Sequence, residues 1–166
     1  MNAPKTPPVA VSKPTLKDSP GIAALIQHYA GRGFMLSRTL RQVAESLRDF
    51  YVCEDAGRIV GCGALHLWSD LAEIRSVAVE EAHWRRGIGA ALVRACLDEA
   101  RQLGVETLFV LTYQPGFFAR FGFEEVPKDR FPQKIWTDCA QCPKFPNCDE
   151  IAMITQLDHE EKTDEG

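Results

Sequence analysis

The sequence has no apolar run near the roughly 20 residues a bilayer-spanning helix needs, so no membrane association is expected. It also lacks a basic excess: 19 Lys and Arg stand against 23 Asp and Glu, a formal net charge of -4. Duplex nucleic acid is held mainly by cationic side chains, so it is not an expected partner. The opening Met1 to Lys13 has no continuous apolar segment of the secretory type, and a cytoplasmic location is expected. Without export, six cysteines do not read as a disulfide framework. What remains is globular: 45% apolar and 25% charged over 166 residues, enough for one domain with a real core and too little for two.

Three prolines fall in the first dozen residues, which predicts a flexible lead over 1–7 and a short strand near Val9 to Ser12. Asp18 before Ser-Pro-Gly reads as a helix cap, and Ile22, Leu25, Ile26 and Tyr29 form the apolar stripe of a first helix. Leu40, Val43, Ala44 and Leu47 predict a second helix starting near Ser37 to Thr39, and the stretch between the two is a candidate substrate loop. Phe50 to Glu54 and Arg58 to Leu67, around Asp55-Ala56-Gly57, predict a hairpin, with Leu71 to Val79 as the next strand. A long helix over Arg86 to Leu103 ends at Gly104, and Thr107 to Thr112 reads as a buried parallel strand closing a right-handed crossover. A short helix over Pro115 to Phe121, a final strand pair including Ile151 to Leu157, and a mobile acidic tail over 159–166 complete the expectation.

Chemistry concentrates where Glu73-Ile-Arg-Ser-Val-Ala-Val79 runs into Trp84-Arg-Arg-Gly-Ile-Gly-Ala90 at the start of the long helix. The first turn of a helix offers unpaired N–H groups and a positive dipole end, and Gly87 and Gly89 let a phosphate approach the backbone. Arg85 and Arg86 add full charges, so the segment reads as a pyrophosphate cradle; the rival reading is a tight strand-to-helix turn. No Gly-Lys-Ser/Thr follows and a third glycine is missing, which excludes a Walker loop and a dinucleotide fingerprint.

The order of elements, the stretch from Glu73 to Ala90, and Leu111 to Phe123 with its closing Gly-Phe resemble the GNAT acetyltransferases. Phe34 to Arg38, Leu111 to Pro115 and the ending Lys134 to Cys148 are similar to the short, kinase-free N-acetylglutamate synthases. The resemblance covers residues 8–158, with a cysteine-rich segment over 136–148. It implies an α+β fold, a central mixed, mostly antiparallel sheet flanked by helices. It also implies acetyl-CoA as cosubstrate, with Val77, Ala78 and Val79 beside the pantetheine arm and Arg85, Arg86, Gly87, Ile88, Gly89 and Ala90 at the diphosphate. The implied acceptor is a small amino acid, L-glutamate first, in the opening step of arginine biosynthesis; a homodimer is a candidate assembly.

Glu73 matches the position of the general base in GNAT histone acetyltransferases, the rival reading being a carboxylate paired with Arg75 or solvated. Val79 N–H is the candidate oxyanion donor. Two departures stand out: Trp84 replaces the family's Gln or Arg, and Phe118 stands where relatives carry the tyrosine proposed to protonate the leaving thiolate. Tyr113 is the candidate replacement. Two carboxylates on glutamate call for two cations, and Arg38 and Arg75 are chosen for their bidentate fork, against ordinary surface arginines as the alternative. Ser76 and Lys134 are further substrate candidates.

Cys139, Cys142 and Cys148 lack a fourth ligand at standard spacing, so three reduced thiols are favoured over a structural zinc or a regulatory disulfide, and no catalytic metal is expected. Two rival functions share the cofactor segment: an acetyltransferase for another small-molecule or protein amine, and a non-catalytic acetyl-CoA-binding or metal-sensing module.

Overall fold

The computed structural model describes residues 9–131, 134, 137–144 and 148–158; the expectations for 1–7 and 159–166 lie outside them. The strands are β1 (Val11–Ser12), β2 (Phe50–Asp55), β3 (Arg58–Trp68), β4 (Leu71–Val79), β5 (Thr107–Thr112), β6 (Glu124–Val126) and β7 (Ile151–Gln156). They form one sheet in the order β1-β2-β3-β4-β5-β7-β6. The helices are α1 (Ser19–Ala30), α2 (Leu40–Glu45), α3 (Ile88–Gln102) and α4 (Pro115–Ala119). The described residues fall into two compact units, one of residues up to Ala64 with Ser76–Cys96, the other of Leu65–Arg75 with residues from Leu97 on.

In the first unit, β2 and β3 pair antiparallel down to Asp55 opposite Arg58. Ala56 and Gly57 between them take φ of 52° and 76°, the two left-handed positions that a tight hairpin turn demands. The stripe read on α1 is buried as expected, with Ile22 and Ile26 fully enclosed.

Asp18 holds the expected N-cap position of α1 without the expected cap bond. Its carboxylate accepts from Thr15 N at 2.8 Å, capping the 3-10 turn Leu16–Asp18, and it makes no side-chain cap bond to α1. Pro20 in the first turn, with φ already preset, starts α1 instead. The second helix is shorter than read. Thr39 and Gln42 form a reciprocal capping box (Gln42 N to Thr39 Oγ1 3.1 Å, Thr39 N to Gln42 Oε1 2.8 Å), but Ser46 Oγ bonds back to Gln42 O at 2.6 Å and the chain tightens into a 3-10 turn over Leu47–Asp49.

α3 begins at Ile88 rather than Arg86, because Arg85 and Gly87 are left-handed, with φ of 68° and 79°. Its start lies close against β3: a Cβ added at Gly61 would stand 2.7 Å from Ile88 Cγ2.

In the second unit β5 is parallel to β4, Leu71 facing Thr107, and antiparallel to β7 along its whole length. The strand read as parallel is therefore so on one edge only. Gly104, at φ 78°, closes α3 with paired bonds, Gly104 N to Arg101 O at 3.1 Å and Val105 N to Ala100 O at 2.9 Å, the geometry of a left-handed helix stop. Phe109 stacks on Phe131 at 4.1 Å between ring centres, at the middle of this unit's apolar cluster.

Candidate active site

Two groups of residues carry chemistry, one in each unit. The first is the turn that leads from β4 into α3. Within β4, Ser76 is left-handed (φ 56°), a conformation that L side chains adopt at a cost, and its carbonyl accepts from Cys62 Sγ at 3.3 Å. At the strand's end the Val79 carbonyl accepts from Tyr29 Oη at 2.5 Å and Trp84 Nε1 at 2.8 Å, while Glu80 N donates to Val60 O at 2.8 Å. The peptide after Val79 is thus pinned at both its oxygen and its nitrogen.

Gly87 O accepts from Ala91 N at 3.0 Å and so opens the helical ladder. The N–H groups of the first turn, from Ile88 on, have no partner four residues back within the helix. A Cβ built on Gly87 meets nothing within 4 Å, so the turn is open on that side. Arg85, Arg86 and Trp84 are exposed, Trp84 by 56%. Arg86 lies 3.6 Å from Asp55, whose carboxylate is within 2.9 Å of His83 Nε2. The His83 hydrogen bond holds the Asp55 carboxyl below the usual carboxylate range.

The second group is a chain of buried charges. Glu73 is 2% exposed; Trp68 Nε1 donates to its Oε1 at 3.0 Å, and Lys134 Nζ reaches Oε1 at 3.1 Å and Oε2 at 2.9 Å. Lys134 Nζ also donates to Asp138 Oδ2 at 3.0 Å, and Arg75 Nη1 donates to the same oxygen at 3.1 Å. The series Arg75, Asp138, Lys134, Glu73 therefore alternates in sign.

This corrects both rival readings of Glu73: its partner is Lys134 rather than Arg75, and it is not solvated. It also corrects the surface reading of Arg75, whose side chain is 13% exposed. Burial works against the Lys134 charge, but the Glu73 and Asp138 carboxylates outweigh it and push the ammonium above its ordinary value. Burial pushes the nearby Glu150 carboxyl up.

The remaining candidates are placed as follows. Tyr113, just past β5, donates its hydroxyl to Asp149 Oδ1 at 2.6 Å and accepts from Lys144, whose ammonium lies 4.4 Å from the ring centre. Burial raises the Tyr113 phenol, with the Asp149 hydrogen bond acting in the same direction. Phe118 is buried on α4, edge-on to Phe117 and Phe123. Arg38 lies between α1 and α2, its carbonyl accepting from Gln27 Nε2 at 3.2 Å. All six cysteines are thiols: Cys53, Cys62 and Cys96 are buried, and Cys139, Cys142 and Cys148 are partly exposed. Among the described residues no group of three or more His, Cys, Asp or Glu is gathered to hold a metal.

An open, charged, glycine-bearing helix start at the end of a central strand of a mixed sheet is an arrangement that can accept a phosphate-bearing cosubstrate. The model of the GNAT acetyltransferase family matches residues 23–123, and the chain belongs to that family: it is an acetyl-CoA-dependent N-acetyltransferase with the GNAT fold. It is 45% identical to an uncharacterised N-acetyltransferase of Chlorobaculum tepidum over 86% of this chain and 92% of that one. It is also 45% identical to an amino-acid acetyltransferase of Mycobacterium tuberculosis, over 70% and 68% of the two chains.

Among solved structures, a Mycobacterium tuberculosis protein in complex with CoA superposes with a TM-score of 0.77 at 36% identity, covering 89% of this chain and 99% of that one. The N-acetylglutamate synthase of Neisseria gonorrhoeae, complexed with coenzyme A and N-acetyl-glutamate, gives 0.82 at 26% identity over 93% of this chain. This chain spans 36% of that synthase.

Proposed function

We propose that the protein acetylates the α-amino group of a free amino acid, L-glutamate first among them, and so serves the opening step of arginine biosynthesis in the cytoplasm, as a homodimer. The amine nitrogen attacks the thioester carbonyl, a C–N bond forms, the C–S bond breaks and coenzyme A leaves as thiolate. The amine's surplus proton passes to Glu73. Val77, Ala78 and Val79 flank the pantetheine arm, and Arg85, Arg86 and the backbone of Gly87, Ile88, Gly89 and Ala90 take the diphosphate. The open turn at Gly87 fits that group. Val79 N–H faces the developing oxyanion.

One observation carries the base assignment. A carboxylate offers about four acceptor sites. Trp68 and Lys134 occupy two on Glu73 Oε1 and Lys134 one on Oε2, which leaves a site on Oε2 for a proton arriving through water. Tyr113, its phenol raised, keeps its proton at neutral pH, the form a donor to the departing thiolate needs. Arg38 and Arg75 are the proposed carboxylate clamps, with the Ser76 turn beside the acceptor. Support for an amino-acid acceptor comes from the kinship to amino-acid acetyltransferases.

A neutral amino acid is the second reading, favoured by charge balance. The ammonium of Lys134 and the guanidinium of Arg75 are matched by Glu73 and Asp138, so the cluster brings no net positive charge to a second carboxylate. Incubating the protein with acetyl-CoA and each free amino acid while following thiol release separates the readings. Release led by glutamate is expected; release with arylamines or peptides alone overturns the proposal.

A further inference from the structure

We propose that Lys134 is a positioning residue for acetyl transfer, holding the buried Glu73 carboxylate ionised and aimed so that it takes the proton of the acceptor amine. This rests on the reading of Glu73 as base. A carboxylate that is 2% exposed has lost almost all its water, and desolvation alone favours the neutral acid, which accepts no proton. Something must compensate.

The groups facing Glu73 are few. Lys134 Nζ touches both carboxylate oxygens at 3.1 and 2.9 Å, and Trp68 Nε1 contributes a neutral donor at 3.0 Å. Asp138 stands beyond Lys134, with Arg75 beyond Asp138, and both Glu150 and Cys139 lie within electrostatic reach of Glu73. Glu150, where ionised, opposes the Glu73 charge; Arg75 reaches the cluster through Asp138. Lys134 is the one cation in direct contact with Glu73 among the described residues.

Geometry adds a second constraint. Two contacts from one ammonium and one from an indole fix the carboxylate plane, leaving its remaining acceptor site in one direction. Asp138 in turn fixes the ammonium at 3.0 Å.

The test is the pH profile of kcat/KM for the best acceptor. In Lys134→Met the acid limb should move to higher pH, because the cation in contact with the proposed base is lost. Activity lost at neutral pH should return as pH is raised, and Lys134→Arg should keep the original limb. If Lys134→Met does not fold, Lys134→Met/Asp138→Asn, whose buried charges again balance, carries the same expectation. A limb that stays in place while the acceptor KM rises marks Lys134 as a substrate ligand and overturns the proposal; so does full kcat with only lowered thermal stability. If Glu73→Gln retains full kcat, the base reading itself is wrong; if that variant is inactive and the limb of the Lys134 variants is unmoved, only the role of Lys134 is.

Discussion

Arg75 and Lys134 share a single carboxylate oxygen, Asp138 Oδ2, at 3.1 and 3.0 Å. One carboxylate oxygen thus serves two cations. Asp138→Asn takes the shared carboxylate from Arg75 and leaves Lys134 its contact with Glu73, and a buried pair broken on one side costs about 3 to 5 kcal/mol. Urea titration should register a loss of about 3 kcal/mol; a change within about 0.5 kcal/mol, the scale of an ordinary surface substitution, would mean that the shared oxygen matters little.

For Glu73→Gln the expected loss is kinetic. Removing a general base lowers kcat by about 10²- to 10⁴-fold. Calorimetric affinity for coenzyme A should stay put, because the helix-start turn belongs to the other unit of the fold. An unchanged kcat would sink the assignment.

Gly61→Ala probes the proposed cradle without touching it. The new Cβ would stand 2.7 Å from Ile88 Cγ2, and a β-branched side chain has little room to yield. Overpacking of this kind costs about 1 to 3 kcal/mol. Weaker coenzyme A binding is expected, with partial recovery in Gly61→Ala/Ile88→Ala. Equal affinity in all three proteins would separate the position of α3 from cofactor binding.

Alkaline pH should expose the Lys134 pair. Its folded value is raised above the ordinary 10.5, so its contribution to stability is complete below pH 10.5 and is lost as pH climbs through the higher folded value. The stability difference between the parent and Lys134→Met should therefore hold steady from pH 8 to 10 and narrow beyond. A gap that already closes between pH 8 and 9 would contradict the geometry.

Thiol chemistry divides the cysteines in two. Burial pushes the Cys62 thiol up to about 12 and also raises Cys53, so neither should react with maleimide in native protein at pH 7. Mass spectrometry should find native labelling confined to the partly exposed Cys142 and Cys148 and, more slowly because burial raises its thiol too, Cys139, with labelling of all six in denaturant. Fast native modification of Cys62 would place it at the surface.

Much of this was legible beforehand, for identifiable reasons. Leu71–Val79 and Thr107–Thr112 were read to the residue because β-branched and apolar runs end abruptly at turn-forming neighbours. The start of α3 was misread where backbone conformation decided: Arg85 at φ 68° is a left-handed arginine that composition does not announce; Asp18 stands at the N-cap of α1 as expected, with its carboxylate bonded to the backbone behind it. The charge cluster stayed hidden for another reason. Lys134 and Glu73 are 61 residues apart, and periodicity finds faces of elements, not partners across a fold. The one available signal was the number of charged residues in apolar company, Glu73 between Ala72 and Ile74 above all. Ser76 was named only as a further substrate candidate, whereas the feature seen at that position is its left-handed backbone.

The indole of Trp84, exposed by 56% yet tied to the last carbonyl of β4, sits directly before the turn proposed to take the diphosphate. Nature has in effect installed an optical gauge there. In a variant that keeps Trp84 as its only indole, emission colour should report on whether that tie is intact when a ligand is added.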